Sequence, residues 1–457
     1  MPSTTSPLMT ALRSQLTCPV LDPRASDYDA KRRQWNGAID QSPPGIVLCS
    51  SEADVALALR IAADQGVPVT VRGGGHNVAG RSIRSDALLL DLSGMRQVTV
   101  DPVARTATVE GGALWRDVDV ATAPHGLATT GGLVSSTGVG GFTLGGGAGW
   151  LMRRHGLASD NLQRATVVLA DGRTVDASLE ENPDLFWALR GGAGGVGAVT
   201  SFEFALHPLT DVLAGLIVHP ASAAPEMLPR FRDFIAEAPD EFCGMAVMLN
   251  APATLPLLTP TYRGQPVLLL VLFWCGEQSK GARFLAPLGA MGAPLAVVIH
   301  PFRYPDWQKL QDQGAPAGRH HYWKTATFGA LEDATLETLA AAALDLPSAE
   351  SEIHVQHLGG AVVRARAEDS AFAHRGAGYF VNLIGNTSNP AEFETLRGRV
   401  RELHARLSPL ALPGSLPNFG APEDADARGF FGKQHAERLQ VIRKTYDPDG
   451  LFATGAI

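Results

Sequence analysis

Apolar and polar positions in the first half of the chain switch between a helical and a strand-like period. Val55, Leu59, Ala62 and Ala63 mark one face of a helix that Ser51 caps, with Asp54 three residues on, and that stops at Gly66. A strand over 67–71 follows at once, with Pro68 near its start, where a missing donor is tolerated. The run ALLLDL at 87–92 has strand length, and two further strand-like pieces lie at 98–100 and 106–109. A helix is predicted over 113–123. Residues 166–170 and 173–177 flank Asp171-Gly172, a two-residue hairpin signal, and a strand over 199–206 closes this half at Pro208. Beyond it, helical patterns over 224–236, 280–288 and 331–344 alternate with strand patterns at 266–273 and 352–356. This change of character places a domain boundary near residue 210.

The 457 residues suffice for two or three domains at roughly 150 residues each. Lys and Arg total 38 against 46 Asp and Glu, a formal charge of −8, and no basic block stands out. A nucleic-acid partner is therefore not expected, because neutralising phosphates needs a basic stripe. Cys18, Cys49, Cys243 and Cys275 are widely spaced, with no CxxC pair, and read as buried free thiols rather than as a disulfide framework or a metal site. The first twenty residues lack the apolar core of a secretory signal, and no apolar run reaches eighteen residues. The expectation is a cytoplasmic protein without a membrane partner. Residues 1–39 are polar and proline-punctuated and run into WNGAIDQSPPG at 35–45, which reads as a leading segment rather than a domain. Oligomeric state has no signal in the sequence.

Glycine is the informative excess: 49 residues, and nine of the nineteen between Gly131 and Gly149. Two further clusters are Gly73-Gly-Gly75 and GGAGGVG at 191–197. Glycine lets a ligand lie directly against the backbone, and successive backbone N–H groups form anion nests. Three such clusters suggest one extended, flat, phosphate-bearing ligand, where a single cluster would read equally well as tight turns. A Rossmann motif does not fit. Val78 stands where the third glycine should be, and AGRSIRS at 79–85 has no helical period. His76 sits at the end of the first cluster. An isolated histidine is usually a surface or core residue, whereas one placed by a glycine nest is held against whatever the nest binds.

Taken together, VRGGGHNVAG (71–80), GGLVSSTGVGGFTLGGGAGWL (131–151), NPDLFWALRGG (182–192), HLGGAV (357–362) and YDPDGLF (446–452) resemble the FAD-linked oxidases of the p-cresol methylhydroxylase and vanillyl-alcohol oxidase superfamily, in the berberine-bridge-enzyme-like branch. The strings span nearly the whole chain in the family's order. The resemblance implies an α+β architecture: an FAD-binding domain of two subdomains over 40–210, an inserted substrate domain of antiparallel sheet covered by helices over 211–412, and a C-terminal segment over 413–457 that returns to the FAD domain. It assigns cofactor contact to Arg72, Gly73, Gly74, Gly75, His76, Asn77 and Gly80 of the first string. From the second it assigns Gly131, Gly132, Val134, Thr137, Gly138, Gly140, Gly141, Leu144, Gly145 and Gly149, and elsewhere Asn161, Val199 and Asn418.

By the same resemblance, His76 bonds to the methyl carbon of the flavin's dimethylbenzene ring. Bicovalent members carry a cysteine where this chain has Val134, so a single link is expected. Thr137 falls where members gate dioxygen access, and a small residue there is compatible with an oxidase. Three departures stand out. GGAGGVG at 191–197 replaces the common GGGGNFG, the chain ends LFATGAI rather than in a form such as LFRxNxNI, and Leu416 stands where many members carry a catalytic tyrosine.

Oxidising an alcohol or amine needs a base for the O–H or N–H proton. In the strand at 352–356, period two puts Glu352, His354 and Gln356 on one face. A half-buried strand with a solvated polar face would show the same pattern, but in the resembling family the strand before this GG turn borders the substrate pocket. Glu352 or His354 is then the base or an orienting group, with Gln356 as a hydrogen-bond partner. HHYWK at 320–324 adds Tyr322 and Lys324 as pocket candidates, and no metal is read there. The sequence thus points to an FAD-dependent oxidase that takes hydride from an alcohol, sugar, amine or natural-product intermediate and passes electrons to dioxygen. A dehydrogenase of the same fold and a non-catalytic flavin-bearing binder are the alternatives.

Overall fold

The structure is a computed structural model that describes residues 6–252, 258, 260–414, 416–424 and 427–453. Thr454 to Ile457, part of the divergent C-terminal string, lie outside the described residues. The first unit is a four-stranded sheet in the order Val20–Leu21, Ile46–Leu48, Leu88–Asp91, Val69–Arg72, whose last three strands run parallel. Helix Glu52–Asp64 makes the crossover between two of them, and Ser51 Oγ accepts from the Asp54 N–H at 3.2 Å as its cap. Its buried stripe is Val55, Ala58, Leu59, Ile61 and Ala62, while Ala63 is exposed. The expected face was thus one residue out at its C-terminal end, where the stripe drifts with the 3.6-residue turn. Strand Val69–Arg72 finds its outer partner at the far end of the chain. The Val69 N–H donates to the Leu451 carbonyl at 2.8 Å, and the Ala453 N–H to the Val69 carbonyl at 2.8 Å.

The second unit is an antiparallel five-stranded sheet in the order Val98–Asp101, Thr106–Glu110, Ala198–Ala205, Leu162–Val168, Thr174–Ala177. The expected hairpin is present. Gly172 takes φ +79°, which a β-carbon would resist, and the strands stop at Val168 and Thr174, two residues and one residue short of the turn limits expected. Between its second and fourth strands the chain makes helix Trp115–Thr122 and then runs through the glycine-rich stretch, which contains the short helix Val139–Leu144.

Strand Asp211–Pro220 begins a seven-stranded antiparallel sheet in the order Ala296–Arg303, Asp211–Pro220, Pro266–Trp274, Phe242–Asn250, Glu352–His357, Tyr379–Thr387, His320–Phe328. One face packs its apolar residues, among them Leu270, Ile353 and Leu383, against helices Ala224–Ala236, Gln278–Gly289, Asp333–Ala342 and Phe393–Leu407. The opposite face packs Val247, Leu269 and Phe380 against Trp150, Leu151 and Leu157 from the glycine-rich stretch. The architecture is α+β, with helices gathered on one side of a sheet whose other side turns toward the first two units. The four cysteines are buried and free. Burial pushes the Cys18 and Cys275 thiols up to about 11, so both stay protonated and inert. No helix of the described residues is long and apolar enough to cross a membrane.

Candidate active site

The glycine clusters meet in one long cleft, lined at one end by Val69, Gly197 and Phe452 and at the other by Trp323, His354 and Asn382. Strand Val69–Arg72 empties into its wall through Gly73-Gly-Gly75. Arg72 itself points away from the cleft: its Nη2 pairs with Asp91 Oδ2 at 2.6 Å across the parallel register, and its guanidinium also donates to the Lys31 and Arg33 carbonyls. A buried pair so fully hydrogen-bonded anchors the leading segment rather than a ligand. Gly74 and Gly138 touch backbone to backbone. A Cβ on Gly74 would sit 2.5 Å from the Gly138 nitrogen, and one on Gly138 would sit 2.3 Å from the Gly74 nitrogen.

Gly141 tests whether a cofactor belongs here. It lies in helix Val139–Leu144 with negative φ, lines the cleft, and would meet nothing within 4 Å if it carried a Cβ. Neither backbone nor packing calls for glycine at this point, but a ligand lying on the helix backbone does. The loop at 191–197 adds Ala193, Gly194, Gly195 and Gly197 to the wall. Ala193 holds φ +60° with its N–H bonded to the Leu144 carbonyl at 2.8 Å, a left-handed position that L-residues other than glycine adopt only at a cost. Asn418 spans the far side. Its Nδ2 donates to the Phe142 carbonyl at 3.1 Å, and its Oδ1 accepts from the Gly147 N–H at 3.1 Å. A flat dinucleotide fits these residues.

His76 lines the cleft beside Gly75, whose φ is +67°. Its Nε2 is 2.9 Å from Ser136 Oγ, and Nδ1 has no hydrogen bond among the described residues. Trp35 stacks on the imidazole with centroids 4.9 Å apart and planes 18° apart. Burial, and secondly the neighbouring His321, push the His76 pKa down to about 4, so the ring is neutral at pH 7.

At the other end of the cleft, register puts three strands side by side. His354 lies opposite Asn382, Asn382 opposite Thr325, and Trp323 opposite Ile384. His354 Nε2 is 2.7 Å from Glu352 Oε2, so the two side chains that share a strand face make a carboxylate–imidazole pair. His354, Gln356 and Asn382 all line the cleft, and Asn382 Oδ1 is buried without a protein partner. Glu352 stands behind His354, half-buried, and is not itself part of the wall.

Most of the expected cofactor residues come together in this wall: Gly73, Gly74, Gly75, His76 and Asn77 from the first string, and Gly132, Val134, Thr137, Gly138, Gly140, Gly141, Leu144 and Gly145 from the second, with Val199 and Asn418. Five, including Arg72, stand elsewhere. Asn161 ties the chain locally, donating to the His155 and Leu157 carbonyls at 3.0 and 2.8 Å. Gly131 and Gly149 are needed for packing, since a Cβ on Gly149 would fall 1.9 Å from the Gly131 oxygen. Gly80, at φ +69°, turns the chain against Ile39. Tyr322 and Lys324, expected in the pocket, are corrected to the helix-covered face of the sheet. Tyr322 bonds to Glu423 and Arg401 and Lys324 to Asp424, because strand alternation sends His321 and Trp323 the other way. Sequence reasoning missed Trp35, Trp323 and Asn382. Trp323 was legible from period two once the strand over 320–328 is assigned, whereas Trp35 and Asn382 reach the cleft only through tertiary pairing.

Residues 43–178 match the model of an FAD-binding domain family. The chain is 28% identical to an FAD-linked oxidoreductase of Dictyostelium discoideum over 92% of this chain and 89% of that one. Among solved structures it is similar to 6-hydroxy-D-nicotine oxidase from Arthrobacter nicotinovorans, with 25% identity, a TM-score of 0.85, and 99% and 98% of the two chains covered. It is likewise similar to glucooligosaccharide oxidase from Acremonium strictum, described as carrying 6-S-cysteinyl, 8α-N1-histidyl FAD, with 25% identity, a TM-score of 0.84, and 99% and 98% covered. A glycine-lined dinucleotide cleft closed by the polar face of an antiparallel sheet is the arrangement of a flavin-dependent oxidoreductase. The chain is an FAD-dependent oxidoreductase, and over nearly its whole length its fold is similar to that of structures in the p-cresol methylhydroxylase and vanillyl-alcohol oxidase superfamily.

Proposed function

We propose that this protein is an FAD-dependent oxidase whose flavin is joined to His76 alone and whose substrate is a small alcohol, sugar, amine or natural-product intermediate. The observation that carries the reading is the single cleft running from His76 in its glycine cradle to the His354–Glu352 pair and Asn382 on the sheet. Residues 40–210 would hold the cofactor, 211–412 the substrate, and 413–457 would close the FAD domain. When bound, flavin supplies a two-electron acceptor for a substrate C–H bond and returns those electrons to dioxygen as hydrogen peroxide.

The chain's own side chains supply binding, orientation and proton handling. His354, with Nε2 committed to Glu352, offers Nδ1 to the substrate O–H or N–H proton, and the carboxylate stabilises the imidazolium that results. Asn382 and Gln356 orient the polar end of the substrate from either side of His354. The glycine walls bring backbone against the ligand and keep water out. At His76, a neutral ring whose Nε2 is held by Ser136 leaves Nδ1 as the nucleophile. His76 would hold the flavin through a C–N bond in place of a methyl C–H bond, a change that would release two protons and two electrons for dioxygen to take up as hydrogen peroxide, while Ser136 would keep hold of Nε2. Val134 lines the cleft without a thiol, which supports one link rather than two. Thr137, also in the wall, supports dioxygen as the acceptor.

Acid precipitation of the purified protein tests the link. Yellow colour is expected to stay in the washed pellet of the native chain and to be lost from His76→Ala; loss from both removes the covalent assignment. With a substrate found by peroxide release, anaerobic bleaching followed by air should restore the yellow absorbance within seconds. Persistent bleaching would assign a dehydrogenase instead.

A further inference from the structure

His76 does not stand alone in its cradle. Trp35, only 7% exposed, is sandwiched between two imidazoles: His76 at 4.9 Å and 18°, and His321 at 3.9 Å and 13°. Three nearly parallel rings therefore run from the FAD-binding unit, through the leading segment, to strand His320–Phe328 of the large sheet. Trp323 closes the side of this stack, edge-on to Trp35 at 5.7 Å and 77°. The backbone on either side of the indole is fixed to both units. The Trp35 N–H donates to the Gly75 carbonyl at 3.1 Å, its carbonyl accepts from the Gly318 N–H at 2.9 Å, and its Nε1 donates to the Ala315 carbonyl at 3.0 Å. Asn36 repeats the bridge: its Nδ2 donates to the Val78 and His321 carbonyls at 2.7 and 2.9 Å, and its Oδ1 accepts from the His321 N–H at 2.9 Å. His321 is steadied in turn by Asn386 through Nδ1.

The nitrogen lone pair of an imidazole lies in the ring plane, so whatever fixes the plane fixes the line along which the nitrogen can attack. Ser136 holds one edge of His76 and Trp35 covers one face, which leaves Nδ1 pointing in a single direction. Turning the ring about Cβ–Cγ would break the stack. We propose that Trp35 is a positioning residue for the His76 linkage, so that attachment of the cofactor depends on the leading segment being clamped between the two units. Trp35 itself takes no part in bond making. It orders the nucleophile, and orientation of a reacting group is a large part of the rate of an intramolecular step. The inference rests on the covalent reading of His76 given above.

The test compares native protein with Trp35→Phe, Trp35→Leu and His76→Ala, reading the acid-stable flavin as a fraction of all flavin bound to the folded protein. Trp35→Phe keeps a stacking ring and is expected to retain most of the linkage. Trp35→Leu keeps apolar bulk without a ring; its acid-stable fraction is expected to fall roughly tenfold, the scale on which lost aromatic contacts shift a population. Total bound flavin should stay near the native level. A native fraction in Trp35→Leu, or a Phe variant no better than the Leu variant, overturns the role of Trp35 while leaving His76 in place. Native protein without acid-stable flavin overturns both readings. Should Trp35→Leu not fold, His321→Leu strips the far side of the stack and is expected to lower the fraction several-fold, with an unchanged fraction again overturning the proposal.

Discussion

At the scale of single residues, His354 is the group whose loss should be felt most. It reaches the cleft from the centre of the large sheet, with Glu352 at 2.7 Å behind it. His354→Ala is expected to lower kcat by about 10²–10⁴-fold, the usual worth of a placed general base, with little change in the bound-flavin spectrum. Glu352→Gln keeps a hydrogen bond to Nε2 but removes the charge and should cost less. Steady-state peroxide assays check both, and a His354→Ala enzyme within a factor of about two of native would remove the histidine from proton transfer. His354 and Gln356 were legible because a strand's side chains alternate, and three polar residues two apart must share a face. Trp35 was not. It stands in a polar, proline-punctuated stretch, and its importance comes from contacts with His321, 286 positions away, where no local period can point.

At the scale of elements, the cleft depends on two loops laid one on the other. Gly74 and Gly138 approach so closely that neither tolerates a methyl group without moving the other's backbone. Gly138→Ala is therefore expected to cost about 1–3 kcal/mol, the range for overpacking a close contact, and to lower flavin content in the purified protein. Thermal melts and the ratio of flavin to protein absorbance check this; native values for both would show that the loops can part. Elements with a clear period or punctuation were legible: the capped helix over 52–64, the Asp171-Gly172 hairpin, and helix Ala224–Ala236. Several strands of the large sheet were not, Phe242–Asn250 and Tyr379–Thr387 among them. Both are buried along nearly their whole length, so apolar residues appear on either face and the alternation that marks a strand is gone.

At the scale of the molecule, burial sets how stability responds to acid. His321 and His357 are pushed down by burial, to about 4 and about 3, from an ordinary value near 6.5. The unfolded chain binds these protons first, so stability is fully present above pH 6.5 and is lost as pH falls toward 4. Asp119 acts the other way, because burial raises it to about 7, and it offsets one proton of the two. His76 and His155, pushed down by burial to about 4 and about 3, add to His321 and His357, so the histidines outweigh the single aspartate and stability falls as pH drops from 6.5 toward 4. Denaturant unfolding at pH 7 and pH 5 checks the sign, and equal midpoints would contradict it.

The last described residues carry a consequence for the order of assembly. Val69 heads directly into the first glycine turn, and the backbone groups that complete its edge belong to Leu451 and Ala453. While the ribosome is still building the chain, this flank of the nucleotide's berth lies open to water, however well the earlier glycines are already folded. Capture of the yellow cofactor is therefore expected to wait for residues 451–453, which dock beside a strand made almost four hundred residues earlier.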